Sequence, residues 1–553
     1  MDKVARPLSG PRPKTTSEGK QTSFRHEVVR VHKEIHRRNR KRISESVLGY
    51  TQTFRTYEEE YHAAIQTYQC RAKLEELDRA LARTNLVYFG DYHTLKQAQR
   101  SFLRLVRRIP KERPVTLAIE MLQHRHQKHI DAFLGGTLSE ATFLEAIEFD
   151  PEDMFGNWET YREIFELARE RNYRVLGIDA SRTRGSSGPL DQRDAFAARR
   201  LAREHHKYPD HLIVTLIGEM HIAPVHLPRA LDEVVTGKGR PKPERVIIYQ
   251  NAEQVYWHLQ ERGREHNTEL VRVAAGQYCI INTPPIVCQQ SFLNWLDADD
   301  ITQPIDTVEA NFKRFARLVS DFFDLDVGSR LDDIEVATVV DLSFLQRLRR
   351  RGDFTPSDMQ QIRAQVLSSE SYYIPSASMV YLGNLSINHA SEEATHFLRH
   401  ICSGMREPKH LVDAFYARAL EEAIGFLGSK LINHKRKCTH LSTFEKIKRS
   451  RSASPQAKQL ARMVVKHAAL VRGERVRGMS EIYECGVELF NQITHVIGYE
   501  LGDKLFYSLM DGMCEKNEIR DLFFDHFEEE GSALTTYFQL AIRVQNIDVP
   551  ERL

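Results

Sequence analysis

Leu86-Val87-Tyr88-Phe89-Gly90-Asp91-Tyr92-His93 is an apolar run that breaks abruptly into glycine and polar side chains. Short continuous apolar runs bounded in this way read as strands buried on both faces. The pattern recurs at Val115-Thr116-Leu117-Ala118-Ile119, followed by Glu120, and at Leu212 to Ile217, followed by Gly218-Glu219-Met220-His221. It recurs again at Arg174 to Ile178 and Val246 to Tyr249, while Leu95 to Ile109 and Trp158 to Arg171 carry helical periodicity between the runs. Strand alternating with helix predicts an α/β fold, a mostly parallel sheet flanked by helices. A sixth strand at Tyr278 to Asn282 runs into Thr283-Pro284-Pro285, and the proline pair closes a domain over residues 84–284.

Working outward, the 553-residue chain is too long for one core, so several domains are expected. Residues 1–24, rich in Pro, Ser, Thr, Gly and Lys, predict a disordered basic tail. Residues 25–83 are highly charged with apolar residues at helical spacing (Val28, Val31, Ile35; Leu74, Leu77, Leu81), which predicts a helical extension of surface helices. The run Arg37-Arg38-Asn39-Arg40-Lys41-Arg42 within it reads as a solvated face, with nucleic acid or anionic lipid as the alternative partner. Beyond residue 285 the alternation stops, and residues 285–553 predict an all-α C-terminal region of unassigned role, with helices over 308–323, 341–350, 386–402, 411–427, 456–471 and 479–509, and one opened by Thr355-Pro356.

Apolar residues make up 41% and charged residues 28%, which suits a folded protein and excludes global disorder. Seven scattered cysteines without a C-x-x-C spacing argue against a disulfide framework. The N-terminus lacks an apolar leader and a lipidation cysteine, and no apolar run reaches membrane-spanning length, so the expectation is a cytoplasmic protein without a transmembrane segment.

Three strands end in side chains that are costly to bury unpaired: Asp91 and His93, Glu120, then Glu219 and His221. Ligands of open α/β sheets bind beyond the carboxyl ends of the strands, so these residues are expected to face one crevice. Two imidazoles and up to three carboxylates suit zinc, manganese or iron. The glycine before each pair, Gly90 and Gly218, is read as letting the backbone turn sharply out of the strand. After the strand at 174–178, the segment from Asp179 to Gly188 is read as a loop that brings Asp179 and Arg182 to a ligand's acidic groups.

Gly90-Asp91-Tyr92-His93, Leu117 to Leu122, Phe133-Leu134-Gly135-Gly136-Thr137-Leu138, Trp158 with Tyr161, and Gly218-Glu219-Met220-His221 followed by Pro228 together resemble the ChaN-type haem-binding domain. That domain is grouped with the Tiki, TraB and erythromycin-esterase-like proteins. For metal-dependent members the resemblance implies ligation by His93, Glu120, Glu219 and His221, with Asp91 standing where the family usually has glutamate. For ChaN-like members it implies haem, with Tyr92 and Tyr161 as candidates for the iron-binding tyrosine. ChaN-like proteins are commonly envelope lipoproteins, which this N-terminus does not match, so intracellular haem handling or a hydrolytic role is expected instead of surface uptake. The primary expectation is therefore a haem-binding or iron-binding protein. The alternatives are a metal-dependent hydrolase with Glu120 or Glu219 as general base, and a nucleic-acid-associated scaffold.

Two weaker signals stand apart. His124, His126 and His129 follow Glu120 and read as an exposed face. His389, Glu393, His396 and His400 form one stripe of a helix, in which Glu393-x-x-His396 is half of a di-iron carboxylate pattern. With no matching second half, the stripe is read as a polar helix flank, with metal binding as the alternative.

Overall fold

The computed structural model describes residues 23–46, 52–151, 153–156, 158–180, 189–298, 304–331, 334–338, 342–368, 371–382, 386–404 and 408–550. Its centre is an eight-stranded sheet of β1 (Cys70–Arg71), β2 (Leu86–Asp91), β3 (Val115–Gln123), β4 (Arg174–Asp179), β5 (Leu212–Gly218), β6 (Arg245–Gln250), β7 (Leu270–Ala274) and β8 (Gln277–Ile280). The order is β1-β7-β8-β6-β2-β5-β3-β4; the six strands from β8 to β4 run parallel, and β7 and β1 close one edge antiparallel. The chain leaves β2 for β3 and β4 and later returns to insert β5 between β2 and β3. The strands β2, β5 and β3, which carry or lead into Asp91, Glu219 and Glu120, are thereby neighbours.

Alternation along these strands divides the core into two layers. Val87, Phe89, Leu117, Ile119, Val214 and Leu216 pack on one face with Phe102, Val106 and Phe165 from the helices Lys96–Arg108 and Trp158–Arg171. Leu86, Tyr88, Ala118, Ile213 and Ile217 pack on the other with Ala198, Leu201, Leu231 and Val255 from the helices Leu190–Lys207, Leu227–Thr236 and Glu253–Glu261. Both faces are covered, as a parallel sheet requires.

The C-terminal region is helical, as expected, and adds a small sheet of β9 (Glu335–Thr338), β10 (Ser371–Ile374) and β11 (Met379–Leu382) in the order β10-β11-β9. Its centre is the helices Ile387–Ser403, Leu411–Ile432 and Val487–Met510. Gly498 and Gly502 lie one turn apart on the last of these and press against Ala419 and Ala423; a Cβ at either glycine would stand 2.5 and 2.4 Å from those residues' carbonyl oxygens. The N-terminal helix α1 (Phe24–Ser46) belongs to this core, burying Phe24, Val28 and Ile35 in it, while Arg37 and Arg40 face solvent. The C-terminal core meets the sheet domain through buried Lys435, whose Nζ donates to the Thr268 carbonyl at 2.6 Å. Among the described residues no helix is long and apolar enough to cross a membrane.

Candidate functional site at the strand ends

Asp91 at the end of β2 stands opposite Gly218 at the end of β5. On the other side of β5, the pairing of β3 with β4 shifts between Ile119 and Gln123, which lifts Glu120 out of the ladder at its last regular rung. Gly177 of β4 accommodates this bulge, because a Cβ there would lie 2.8 Å from the Gln123 carbonyl oxygen. Asp91, Glu120 and His221 end in a common interior, 3, 2 and 4% exposed. His93 keeps an exposed edge, and its ring packs on Phe155.

The imidazoles are held in matching ways. His93 Nδ1–H donates to Asp91 Oδ2 at 3.0 Å, and Asp91 also accepts from Gln99 Nε2 at 2.6 Å. His221 Nδ1–H donates to Asp194 Oδ1 at 2.7 Å, and Asp194 also accepts from the Tyr57 hydroxyl at 2.6 Å. A carboxylate on Nδ1 fixes the ring and leaves Nε2 for the interior. Both Nε2 atoms turn on Glu120, His93 at 3.7 Å from Oε2 and His221 at 3.8 Å from Oε1. The Gly218 N–H donates to Glu120 Oε2 at 2.6 Å, and Arg193 bridges Glu120 to Asp179 at the end of β4, with 3.1 Å from its Nε to Asp179 Oδ1.

Each expected site residue can now be placed. Asp91, His93, Glu120 and His221 come together; Asp91 engages His93, Gln99 and Tyr161, so it orients an imidazole. Asp179 reaches the group through Arg193. Glu219 sits half-buried at the rim, accepting from the Tyr61 hydroxyl at 3.1 Å. Tyr161 is 1% exposed and donates to Asp91 Oδ2 at 3.3 Å. Tyr92 packs against the core of the C-terminal region. Arg182 lies outside the described residues. Four contributors carried no sequence motif. Tyr57 and Tyr61 project from the helix α2 (Gln52–Ala64), and Arg193 and Asp194 from the helix Leu190–Lys207. Their signals were an i, i+4 tyrosine pair on a charged helix, and an acid in register with the apolar Ala197, Ala198 and Leu201.

The role of the two glycines needs correction. Gly218 has φ −45° and ψ 137°, and Gly90 is not among the residues with positive φ, so no special turn requires glycine at either position. The reason is space. A Cβ on Gly218 would stand 3.2 Å from His93 Nε2 and 3.4 Å from Glu120 Oε2, and one on Gly90 would stand 3.2 Å from Glu219 Cβ.

Burial and charge set the proton affinities. Burial alone would lower the His93 imidazole, but its bond to Asp91 and the charges of Glu120 and Asp91 outweigh this and raise it. Burial pushes the Glu219 carboxyl up to about 7, although the Tyr61 bond and the nearby His93 pull the other way. Burial, then the charges of Asp91 and Glu120, hold the Tyr161 phenol well above its usual value. Imidazole nitrogens and carboxylate oxygens are the donor types that zinc, manganese and iron take. A cleft of 480 Å³ lies elsewhere, lined by Phe133, Gly135, Gly136, Arg162 and Arg169, and no strand-end residue lines it.

The family model described as haem-binding uptake, Tiki superfamily, ChaN matches residues 77–186, bearing out the resemblance over that segment; Gly218 to His221 lie beyond it. Among solved structures, one titled as cofacial heme binding to ChaN of Campylobacter jejuni matches at 14% identity, covering 34% of this chain and 92% of that one, with TM-score 0.25. The type III effector HopBA1 matches at 15% identity over 34% of this chain and 87% of its own, TM-score 0.25. The C-terminal region of Pasteurella multocida toxin matches at 16%, 34% and 26%, with TM-score 0.22. No curated protein matches the chain.

Proposed function

From a chain whose residues 77–186 are ChaN-like and of the Tiki superfamily, we propose an iron-binding protein that holds the metal at the strand ends through His93 and His221, with Glu120 as the anionic ligand between them. The observation that carries this reading is the pair of Asp–His couples, Asp91–His93 and Asp194–His221, whose Nε2 atoms approach opposite oxygens of one buried carboxylate. Carboxylate-backed histidines are how proteins orient metal ligands. Asp179 and Arg193 position Glu120, and Glu219 with Tyr61 forms the rim.

Haem is the other form in which iron is carried. It fits the crevice less well than the ion: Tyr161 is buried and bound to Asp91, and the half-buried Arg193, held by Asp179, occupies the side toward β4. The decisive experiment adds haemin to the full chain and records a Soret band, beside elemental analysis of protein purified without chelator. Iron without a shifted Soret band supports the proposal, and a stoichiometric haem complex without bound iron in the haem-free protein overturns it. The seven cysteines are unpaired, which supports a cytoplasmic, reducing location.

One observation favours hydrolysis as the chemistry of the site. Glu219, pushed to about 7, is matched to proton transfer near neutral pH, whereas Glu120 is held by Arg193 and the Gly218 N–H. An ion bound at the site supplies Lewis acidity. Glu219, oriented by the Tyr61 hydroxyl, is then the general base: its carboxylate takes a proton from the attacking water and, as the acid, gives it to the leaving group. The test is esterase and amidase activity of the iron-loaded chain against its Glu219→Gln variant. The nucleic-acid reading of the Arg37–Arg42 run is tested by salt-dependent retention of RNA or DNA.

A further inference from the structure

In the C-terminal region, Glu392, His396 and Glu422 each place one nitrogen or carboxylate oxygen within 4.8 Å of the others, all three side chains buried. Glu392 and His396 are one turn apart on the helix Ile387–Ser403, and Glu422 faces them from the helix Leu411–Ile432. Of the stripe read from the sequence only His396 belongs to this cluster; its acids are Glu392, the residue before Glu393, and Glu422.

His396 is 7% exposed, and its Nε2 has no hydrogen-bond partner although it is buried. An imidazole nitrogen left in this state is costly. Its direction is fixed by Gly425, where a Cβ would stand 2.1 Å from Nε2. Gly425 lies three residues after Glu422 on the same helix, so Nε2 reaches the face that carries Glu422. A glycine at this point admits the ring.

The carboxylates are anchored without being exhausted. Glu392 Oε2 accepts from Arg436 at 2.9 Å and its other oxygen from the Tyr499 hydroxyl. Glu422 meets Arg418 at 2.7 Å and His495 Nδ1 at 3.0 Å. Each carboxylate offers about four lone-pair directions, so partners on two of them orient the group and leave others free. Burial alone would lower the His396 imidazole, but the neighbouring Glu393, then Glu422 and Glu421, raise it to about 10.

We infer that Glu392, His396 and Glu422 form a second metal site, independent of the strand-end crevice, for one divalent first-row cation such as zinc, manganese or iron. One nitrogen and two carboxylate oxygens suit that class. Ligand bonds of about 2.1 Å require the three atoms to close by up to about 1 Å, a movement of side-chain ends.

The test uses the full chain carrying His93→Ala and His221→Ala, so that it reads this site whatever the strand ends do. The protein is stripped with chelator, equilibrated with zinc chloride and counted by elemental analysis, with thermal unfolding measured with and without zinc. One zinc per chain and a raised unfolding temperature are expected. Adding Glu422→Gln, which keeps the side chain's shape, should weaken zinc binding by about ten-fold or more, and His396→Gln should do the same. Circular dichroism identifies any variant that fails to fold; in that case the zinc-dependent stabilisation of the parent decides. No zinc in the parent, or zinc retained undiminished by a folded Glu422→Gln, overturns the inference and leaves an ion-pair network that ties the helices together.

Discussion

Replacing Glu219 with glutamine should change how stability depends on pH, by an amount the structure sets. The carboxyl is raised from 4.5 to about 7 by burial, against the opposing bond from Tyr61. A folded-state value above the unfolded one means that its contribution is fully present below the unfolded value and is lost as pH rises through the folded value. The loss therefore begins near pH 4.5 and is complete just above pH 7. A shift of this size corresponds to about 3 kcal/mol. Glutamine does not ionise, so Glu219→Gln should escape the loss: relative to their values near pH 4, the variant should hold about 3 kcal/mol more than the parent near pH 8. Urea unfolding in the presence of chelator measures the stability. The protonated-carboxyl band in parent-minus-variant infrared spectra reads the same titration directly. Parallel stability curves, together with an infrared midpoint near that of a free carboxyl, would refute the claim that burial raises the Glu219 carboxyl.

Two further outcomes follow from packing. Gly502→Ala drives a Cβ to within 2.4 Å of the Ala423 carbonyl oxygen, where neither backbone can yield cheaply; overpacking of this kind should destabilise the C-terminal helices by about 3 kcal/mol, measured by urea unfolding, and an unchanged midpoint would show that the helix seam is looser than drawn. A chain beginning near residue 50 keeps Tyr57 and Tyr61 on α2, whereas one beginning near residue 66 removes both. Strand-end iron should survive the first truncation and be lost in the second; equal iron in both would place the tyrosines outside the site.

Much of the fold was legible because buried parallel strands leave a local mark. Val87 to Phe89, Leu117 to Ile119 and Val214 to Ile217 are apolar on both faces, since helices cover both sides of the sheet. The strand β7, Leu-Val-Arg-Val-Ala, next to the edge strand β1, buries only its first two residues and so leaves no such run in the sequence. The strands β9 to β11 are four residues each and sit among helices, too short for periodicity to reveal. At the site, convergence of Asp91, His93, Glu120 and His221 could be expected because strand ends are positioned by the sheet itself. Arg193 and Tyr57 arrive on helices whose docking depends on long-range packing, which single-sequence spacing does not encode. The glycines were visible while their reason was not: a close approach between Gly218, His93 and Glu120 exists only once three strands are side by side.

The most direct test of the central claim is ferrous iron binding by the full chain carrying Glu422→Gln, which weakens the inferred second site, with His93→Ala, His221→Ala and both together. One iron per chain is predicted for the parent. Each single substitution should reduce affinity by about ten-fold or more, and the double should fall little further than either single, because ligands that act as one unit are non-additive. Additive losses from the two histidines, or iron binding that neither substitution alters, would contradict a common site at the strand ends.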